Sequence, residues 1–538
     1  MLKMNQSSLN YDREWKEAGV KLPQYDVQQM VCDTKANPIW IHFGAGNIFR
    51  GFIAAIQQRL LEQGEEQKGI IAAETFDYDI IQKIYSPYDN LTMNVTLCSD
   101  GTMSREIIAS VAEGICANAE DPHSMGRLKE IFKNPSLQMI SFTITEKGYA
   151  LKNPKGQYLP VVEEDIMKGP KSAKHAMSII TALLWERYQN GKLPLAVVSM
   201  DNCSHNGEKL QNSILTIAKE WVHNNYVGKD FLQYLQDDNT VSFPWTMIDK
   251  ITPRPADVVR TALEQDGISD MEPVITSRGT YIAPYVNAEK AQYLVIEDKF
   301  PNGRPQLEKA GVYMTDRDTV NCTEKMKVTT CLNPLHTAMS MYGCLLGYTL
   351  ISEEMKDTDI VNLVKTLGYK EGLPVVVDPK ILNPKEFIDE VVTERLTNPF
   401  MPDAPQRIAT DTSQKVAIRF GETIKSYLVS GKDVTSLNAV PLALAGWMRY
   451  LLGVDDEGKE MEVSADPLKE VIQKKLEGIC PGKPETYHGQ LKEILANEMI
   501  FGVDLVKAGL ADKVERIFME ELEGPGAVRA TLKKYISE

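Results

Sequence analysis

The chain has 538 residues, of which 43% are hydrophobic and 25% are charged, and its net charge is -15. This balance is typical of a folded globular protein, and the length suffices for two or three domains. The acidic excess argues against a nucleic acid partner, because phosphate binding relies on surplus lysine and arginine. We therefore expect the chain to bind a small molecule.

The cysteines and the apolar segments indicate the cellular environment in which the protein works. The eight cysteines are scattered, without a CxxC pair or the spacing of zinc ligands. We interpret them as reduced thiols, most of them in core positions, and expect no metal. The most apolar helical segment, residues 438–454, contains Pro441 and Arg449 and is too short to span a membrane. With no signal-peptide stretch, we expect a cytoplasmic protein that does not bind membranes. Its oligomeric state stays open.

Short apolar runs alternate with helical stretches between residues 37 and 300. The amphipathic stretches include residues 49–63 and 171–189, and the runs are PIWIHFGAG from Pro38, GIIAAE from Gly69, LQMISFTITE from Leu137, LPLAVVSMD from Leu193 and WTMID from Trp245. Near-continuous apolar strands between helices indicate a parallel sheet that is covered on both faces. We predict a doubly wound, Rossmann-type α/β domain at residues 37–305, after an N-terminal extension at residues 1–36.

The pattern changes after residue 312, where helical stretches follow one another and Gly and Pro separate them. The predicted helices cover residues 334–348, 352–367, 384–397, 413–430, 438–452, 467–477 and 485–501. We predict a mostly α-helical second domain at residues 306–538. Its boundary lies in the turn-rich segment 299–311.

The first predicted strand leads into a glycine-containing turn, Gly44-Ala45-Gly46. Two glycines let a backbone approach a pyrophosphate, and the following helix offers free N–H groups to that anion. The usual third glycine is replaced by Phe49, so the pattern alone also fits a plain tight turn. A second strand ends at Glu74, where a carboxylate can accept hydrogen bonds from ribose hydroxyls and repel the extra phosphate of NADP; a solvated strand-end carboxylate is the alternative. We predict an NAD site at Gly44, Gly46, Asn47, Ile48, Phe49, Arg50 and Glu74.

The segment from Glu324 to His336 combines lysine, asparagine and histidine. Asn333 before Pro334 resembles a helix N-cap that is followed by proline in the first turn. His336 then lies in that turn, where the helix dipole disfavours its charged form. Lys327 lies just upstream, so the three side chains can converge at a helix N-terminus. Taken alone, the segment also fits an ordinary helix start with a surface lysine and a core histidine.

Seven sequence landmarks occur in order between residues 41 and 415. They are HFGAGNIFRGF from His42, ITEKGY from Ile144, SMDNCSHNG from Ser199, DKITPR from Asp249, VIEDKFPNGRPQLEKAGV from Val295, the Lys-Asn-His segment and RIATDTSQK from Arg407. With them the chain resembles the polyol-specific long-chain dehydrogenases of the mannitol dehydrogenase family, whose members act on mannitol, fructuronate or tagaturonate. The resemblance implies an NAD-dependent, metal-independent enzyme that oxidises a secondary alcohol of a linear sugar derivative.

The resemblance also implies roles for individual residues. Lys327 is the general base, and Asn202 and Asn333 hydrogen-bond the reacting oxygen as its negative charge develops. His336 orients the substrate and the base. The remaining pocket residues are Asp249, Glu324, Arg407 and Lys415, and Glu146 lies on the proton path.

The chain departs from the family pattern at its catalytic segment. Five residues separate Lys327 from Asn333, where the family has four. We expect the extra residue in a loop or bulge that re-aims Lys327, with Lys325 as a weaker candidate base. The spacing of Arg407 and Lys415 fits neither adjacent helical turn, so their convergence depends on the resemblance.

The choice of substrate depends on the carboxylate that distinguishes a uronate from a hexitol, because a cation in the pocket favours the uronate. Arg254 is a candidate partner alongside Arg407, and a surface arginine is its alternative. We expect the pair D-mannonate and D-fructuronate, with mannitol and fructose, or tagaturonate, as alternatives. A phosphorylated hexitol needs a stronger cationic pocket than these motifs offer. A non-catalytic NAD-binding sensor is the alternative from another class.

Overall fold

The computed structural model describes residues 1–536. The chain forms two compact units. Unit 1 comprises Met1–Cys98 and Thr102–Asn321, and unit 2 comprises Ser99–Gly101 and the chain from Cys322 onwards.

Unit 1 is built on a six-stranded parallel sheet. Its strands are β1 (Trp40–Phe43), β2 (Ile70–Glu74), β3 (Val111–Cys116), β4 (Met139–Phe142), β5 (Leu195–Ser199) and β6 (Val241–Ser242). Their order across the sheet is β6-β5-β4-β1-β2-β3, and every neighbouring pair is parallel. This is the strand order of the Rossmann fold, whose ligand crevice lies at the carboxyl ends of the strands. The predicted doubly wound sheet is confirmed.

Both faces of this sheet are buried. Ile41 and Phe43 point into a core cluster formed with the helices Pro122–Lys133, Ala176–Gln189, Asn206–His223 and Lys229–Gln236. Trp40, on the opposite face of the strand, joins a second cluster, formed with the helical stretch Phe49–Ile53 and Ala54–Glu62. Side chains alternate between the two faces of a strand, so every residue of β1 is buried, as the uninterrupted apolar run requires.

The run from Trp245 does not join this sheet, so its assignment to the parallel sheet was wrong. Thr246–Asp249 pairs antiparallel with Tyr293–Glu297, which pairs parallel with Tyr313–Thr315. A short apolar run carries no information about its partner strand. A four-stranded sheet has the order Tyr285–Glu289, Thr92–Leu97, Met103–Ile108 and Val20–Lys21. Two further sheets have two short strands each: Leu2–Lys3 with Ile268–Ser269, and Val274–Ile275 with Tyr281–Ile282. The remaining helices of this part of the chain are Asp12–Glu17, Val27–Ala36, Thr145–Tyr149, Pro160–Lys168, Asp257–Gln265 and Arg317–Met326.

Unit 2 is helical, as predicted. Its α-helices are Asn333–Leu345, Ile351–Glu354, Thr358–Lys365, Pro384–Glu390, Pro405–Ile408, Glu422–Ser430, Ala439–Tyr450, Lys469–Lys475, Lys492–Leu495, Glu498–Phe501, Ala511–Glu521 and Ala527–Ile536. Two segments that were each predicted as one helix are divided into two, so these two predictions were wrong. Residues 352–367 are interrupted before Asp357, whose side chain caps the next helix. Residues 485–501 contain two one-turn helices, because Asn497 caps a new helix there.

The helix Ala439–Tyr450 forms the centre of unit 2. All of its residues are buried. The carboxylate of Glu371 caps its N-terminus by accepting hydrogen bonds from the N–H groups of Asn438, Ala439 and Val440, at 2.6 to 2.9 Å. No helix in residues 1–536 is long and apolar enough to cross a membrane.

The cysteines were predicted to lie mostly in core positions, which was wrong. All eight are free thiols, but only Cys331 and Cys344 are buried, whereas Cys32 and Cys480 are exposed. A scattered cysteine carries no periodicity from which its burial can be inferred.

Candidate active site

The turn after β1 has the geometry of a pyrophosphate cradle. Gly44 has φ 104°, and a Cβ atom there would lie 2.2 Å from the carbonyl oxygen of Thr143, so only glycine fits. At Gly46, in contrast, a Cβ atom would have none of the described atoms within 4 Å, which leaves the backbone open to a ligand. The helix begins immediately afterwards, with the N–H of Arg50 bonded to the carbonyl oxygen of Gly46 at 3.1 Å.

Phe49 and Arg50 support this turn from inside. Phe49 is fully buried and stacks on the ring of His42, with centroids 4.3 Å apart. Arg50 is also buried and donates to the carbonyl oxygen of Ala283 at 2.9 Å and to Asn47 Oδ1 at 2.8 Å. Burial lowers the pKa of Arg50 to about 10. The side chains of Phe49 and Arg50 therefore support the turn and do not face a cofactor.

Glu74 holds the turn in place through both carboxylate oxygens. Oε2 accepts from the N–H of Ala45 at 2.9 Å, within the glycine turn. Oε1 accepts from the N–H groups of Thr75, Phe76 and Asp77 at 3.0 to 3.3 Å. Burial raises the pKa of Glu74 against the opposing effect of these four bonds. These four bonds match the roughly four acceptor sites of a carboxylate, so the contact of Glu74 with a ribose hydroxyl stays a prediction.

The segments that follow β4 and β5 are tied together by Asp201, which the sequence interpretation missed. Its carboxylate accepts from the N–H groups of Ile144 and Thr145, both at 2.9 Å, and from the Tyr149 hydroxyl at 2.5 Å. Burial raises its pKa. The next residue, Asn202, is exposed at the carboxyl end of β5. Asp201 could have been identified from the sequence as a polar residue that follows an apolar strand.

The other predicted residues of unit 1 differ in exposure. Glu146 is exposed and forms a salt bridge with Lys209. Asp249 ends its strand and is buried. Arg254 is exposed, and its carbonyl oxygen accepts from Asn287 Nδ2 at 2.9 Å. This exposure matches a surface arginine better than the expected partner for a substrate carboxylate.

Lys327 lies at the start of a π-helical segment, Lys327–Cys331, that continues the helix Arg317–Met326. A π-helical turn accommodates one residue more than an α-helical turn, which accounts for the fifth residue before Asn333. Of the two expected forms, the bulge is confirmed as a π-helical turn and the loop was wrong. Lys327 is buried at 3% exposure, whereas Lys325 is exposed and lies 3.6 Å from Glu422. This difference favours Lys327 over Lys325 as the candidate base.

The helix Asn333–Leu345 presents His336 in its first turn, as predicted. The N-cap is Leu332, without a side-chain cap bond, so the expected N-cap role of Asn333 was wrong. His336 Nε2 lies 3.3 Å from Asp403 Oδ2. Burial lowers the pKa of His336, and Asp403 opposes that effect. The contact favours a proton on Nε2, which leaves Nδ1 as an acceptor.

Asp403 also binds Arg407. Arg407 donates through Nε to Oδ1 at 2.6 Å and through a terminal nitrogen to Oδ2 at 2.7 Å. Burial of Asp403 raises its pKa, but the bonds from His336 and Arg407 outweigh this and hold the pKa well below its usual range. Asp403 lies four residues before Arg407, and this helical spacing was the signal that the sequence interpretation missed.

Lys415 folds back onto the end of the helix Pro405–Ile408. Its Nζ donates to the carbonyl oxygen of Ile408 at 3.0 Å and to that of Thr410. Burial, and then the nearby guanidinium of Arg419, lower the pKa of Lys415 to about 8. Arg407 and Lys415 thus approach each other despite their spacing. Glu324 is half-buried in the helix that precedes Lys327.

A Rossmann sheet with a glycine turn after its first strand is typical of a dinucleotide-binding protein, and a buried lysine beside polar side chains is a candidate general base. Two family models match the chain: the mannitol dehydrogenase Rossmann domain at residues 38–309 and the mannitol dehydrogenase C-terminal domain at residues 319–520. The chain belongs to the mannitol dehydrogenase family, which confirms the family inferred from the seven landmarks.

Several relatives cover almost the whole chain. D-mannonate oxidoreductase of Thermotoga maritima is 51% identical over 538 residues, which is 99% of each chain. Mannitol 2-dehydrogenase of Pyrenophora tritici-repentis is 28% identical over 92% of this chain and 81% of its own. Among solved structures, Pseudomonas fluorescens mannitol 2-dehydrogenase in a ternary complex with NAD and D-mannitol covers 100% of both chains with 25% identity and a TM-score of 0.69.

Proposed function

We propose that the chain is an NAD-dependent oxidoreductase that interconverts D-mannonate and D-fructuronate by hydride transfer at a secondary alcohol. The identity of 51% across 99% of the T. maritima D-mannonate oxidoreductase carries this proposal. The mannitol 2-dehydrogenase relatives share only about half that identity, at 27% to 28%. The cytoplasm is the proposed location.

The turn after β1 fits the pyrophosphate of NAD. The open backbone at Gly46 and the helix start at Asn47 supply N–H groups for the anion, and the Glu74 carboxylate lies beside this turn through its bond from the N–H of Ala45. Acidic Glu74 at this position also disfavours the additional phosphate of NADP. NAD, when bound, supplies the hydride acceptor.

The acid-base chemistry belongs to the polar residues around Lys327. Lys327 takes the alcohol proton as the hydride leaves, and its burial keeps bulk water away from the transfer. Asn333 donates its amide to the reacting oxygen, where negative charge develops. His336 presents Nδ1 to a substrate hydroxyl while Asp403 holds Nε2. This set contains a base and an oxyanion donor and so needs no metal. The roles of Asn202, Asp249, Glu324 and Glu146 stay predictions from the family resemblance.

Loss of NADH absorbance with purified protein tests this function. D-fructuronate, D-tagaturonate and D-fructose are each supplied with NADH, with and without a chelator. We expect kcat/KM for D-fructuronate to exceed the other two by roughly a hundredfold or more, with or without chelator. Preferred turnover of D-fructose would instead indicate a mannitol 2-dehydrogenase. Inhibition by the chelator would refute the metal-independent mechanism.

A further inference from the structure

Three cations of unit 2 form what we call the cation cluster: Arg407, Lys415 and Arg419. Arg419 lies in the π-helical segment Ala417–Gly421, four residues after Lys415, and its N–H bonds to the carbonyl oxygen of Lys415 at 2.9 Å. Its side chain donates a hydrogen bond to the hydroxyl of Thr337, the residue after His336. The Arg419 guanidinium therefore reaches the first turn of the helix Asn333–Leu345.

The three cations of the cation cluster differ in whether a carboxylate compensates their charge. Arg407 is paired with Asp403 through two hydrogen bonds. Lys415 and Arg419 instead donate to neutral oxygens, and within residues 1–536 neither forms a salt bridge with a carboxylate. An unpaired cation in a partly buried position is unfavourable unless an anion compensates it.

Lys415 and Arg419 also repel each other. After burial, Arg419 is the largest influence that lowers the pKa of Lys415, and its effect is larger than the opposing effect of either Asp411 or Asp466 taken singly. Burial alone lowers the pKa of Arg419 to about 10. An anionic ligand near two such cations relieves their repulsion and supplies the negatively charged acceptor that their neutral oxygen partners do not.

We propose that Arg419, together with Lys415, binds the carboxylate of the sugar-acid substrate and thereby selects sugar acids over neutral polyols. This inference rests on the proposed function, because that function supplies the carboxylate. The guanidinium is planar and binds a carboxylate through two parallel hydrogen bonds, whereas a lysine adds a point charge. Arg419 is thus proposed as a carboxylate partner in addition to Arg254 and Arg407, the candidates named from the sequence.

The test uses three variants of the full chain, assayed with NADH and D-fructuronate. Arg419→Gln removes the charge, and Arg419→Lys restores a cation. Lys432→Gln is the matched control, because it removes one positive charge from an exposed residue outside the cluster. We expect Arg419→Gln to raise KM about tenfold to a hundredfold with kcat within a few fold. Arg419→Lys recovers much of the loss, and Lys432→Gln matches the wild type.

The possible outcomes separate the inference from the function. An active wild type whose KM is unchanged in Arg419→Gln refutes the carboxylate role alone. Equal losses of kcat in Arg419→Gln and Arg419→Lys, with KM unchanged, also refute it and assign Arg419 a structural role through Thr337. A wild type without D-fructuronate activity refutes the proposed function itself.

Discussion

The glycine turn of unit 1 and the Lys327 region of unit 2 are stabilised in different ways. Around the turn, glycine conformations and backbone N–H groups set the geometry, and the Glu74 carboxylate accepts hydrogen bonds from backbone alone. Around Lys327, side-chain charges set it, through Asp403, Arg407 and Lys415. Substitutions that add side-chain atoms should therefore disturb the glycine turn, whereas substitutions that change a charge should disturb the Lys327 region.

The largest expected effect is the loss of turnover in Lys327→Ala. Removing a general base that acts in the transition state should lower kcat about a thousandfold or more while NADH binding persists. Lys325→Ala is the matched control, since Lys325 is exposed, and should stay within a few fold of the wild type. Stopped-flow turnover and NADH fluorescence measure the two quantities. Comparable losses in both variants would contradict the assignment.

Gly44→Ala and Gly46→Ala compare two glycines of one turn. The Gly44 variant places a Cβ atom 2.2 Å from the Thr143 carbonyl oxygen at a positive φ, and we expect it to lower the free energy of unfolding by about 2 to 3 kcal/mol. The Gly46 variant meets no described atom of the chain, so it should keep its stability and lose NADH affinity. Urea unfolding and NADH titration distinguish these effects. Equal destabilisation of the two variants would refute the distinction.

Asp403→Asn removes the negative charge of the carboxylate that contacts both His336 and Arg407. We expect kcat/KM to fall about tenfold to a hundredfold, because charge-assisted hydrogen bonds to two pocket residues weaken together. Asp403→Glu should recover part of this loss. Asp378→Asn is the control, since Asp378 is exposed and forms a salt bridge with Lys380, outside the pocket residues named above. A wild-type kcat/KM in Asp403→Asn, at unchanged thermal stability, would show that His336 is oriented by other groups.

The smallest expected effect is a pH dependence of KM. The pKa of Lys415 is lowered to about 8 in a setting that contains Arg419, Asp411, Arg407 and Asp466. The cation is present below that pH and is lost above it, so KM for D-fructuronate should be flat below about pH 8 and rise up to tenfold above it. Lys415→Arg keeps its charge and should abolish the rise. A rise that persists in Lys415→Arg would assign the titration to another group.

Sequence patterns predicted the elements whose own composition identifies them. The apolar runs of β1, β2, β4 and β5 predicted a parallel sheet, because strands buried on both faces lack polar alternation. The partners of Thr246–Asp249 were not predictable, since pairing depends on distant chain segments. Likewise, apolar periodicity does not register a single extra residue, so the sequence could not distinguish a loop from the π-helical bulge at Lys327.

The candidate site was predicted less completely than the fold. The glycine turn was identified from its position between a buried strand and a helix, and the roles of the Lys-Asn-His segment came from the family resemblance. Asp201, Asp403 and Arg419 were missed, since acidic and basic residues at helical or strand-end spacing are common on any protein surface. Their importance follows from the burial of each side chain and from the partner that it contacts, and neither can be predicted from the local sequence.

Transfer of a labelled hydride tests the central claim most directly. D-mannonate that carries deuterium on the carbon bearing the reacting hydroxyl is incubated with NAD and the wild-type chain, and the NADH formed is analysed by mass spectrometry. We predict that the deuterium appears in the nicotinamide ring at one atom per turnover and that Lys327→Ala forms almost none. Label released to water, or NADH formed without the label, would contradict direct hydride transfer from D-mannonate to NAD.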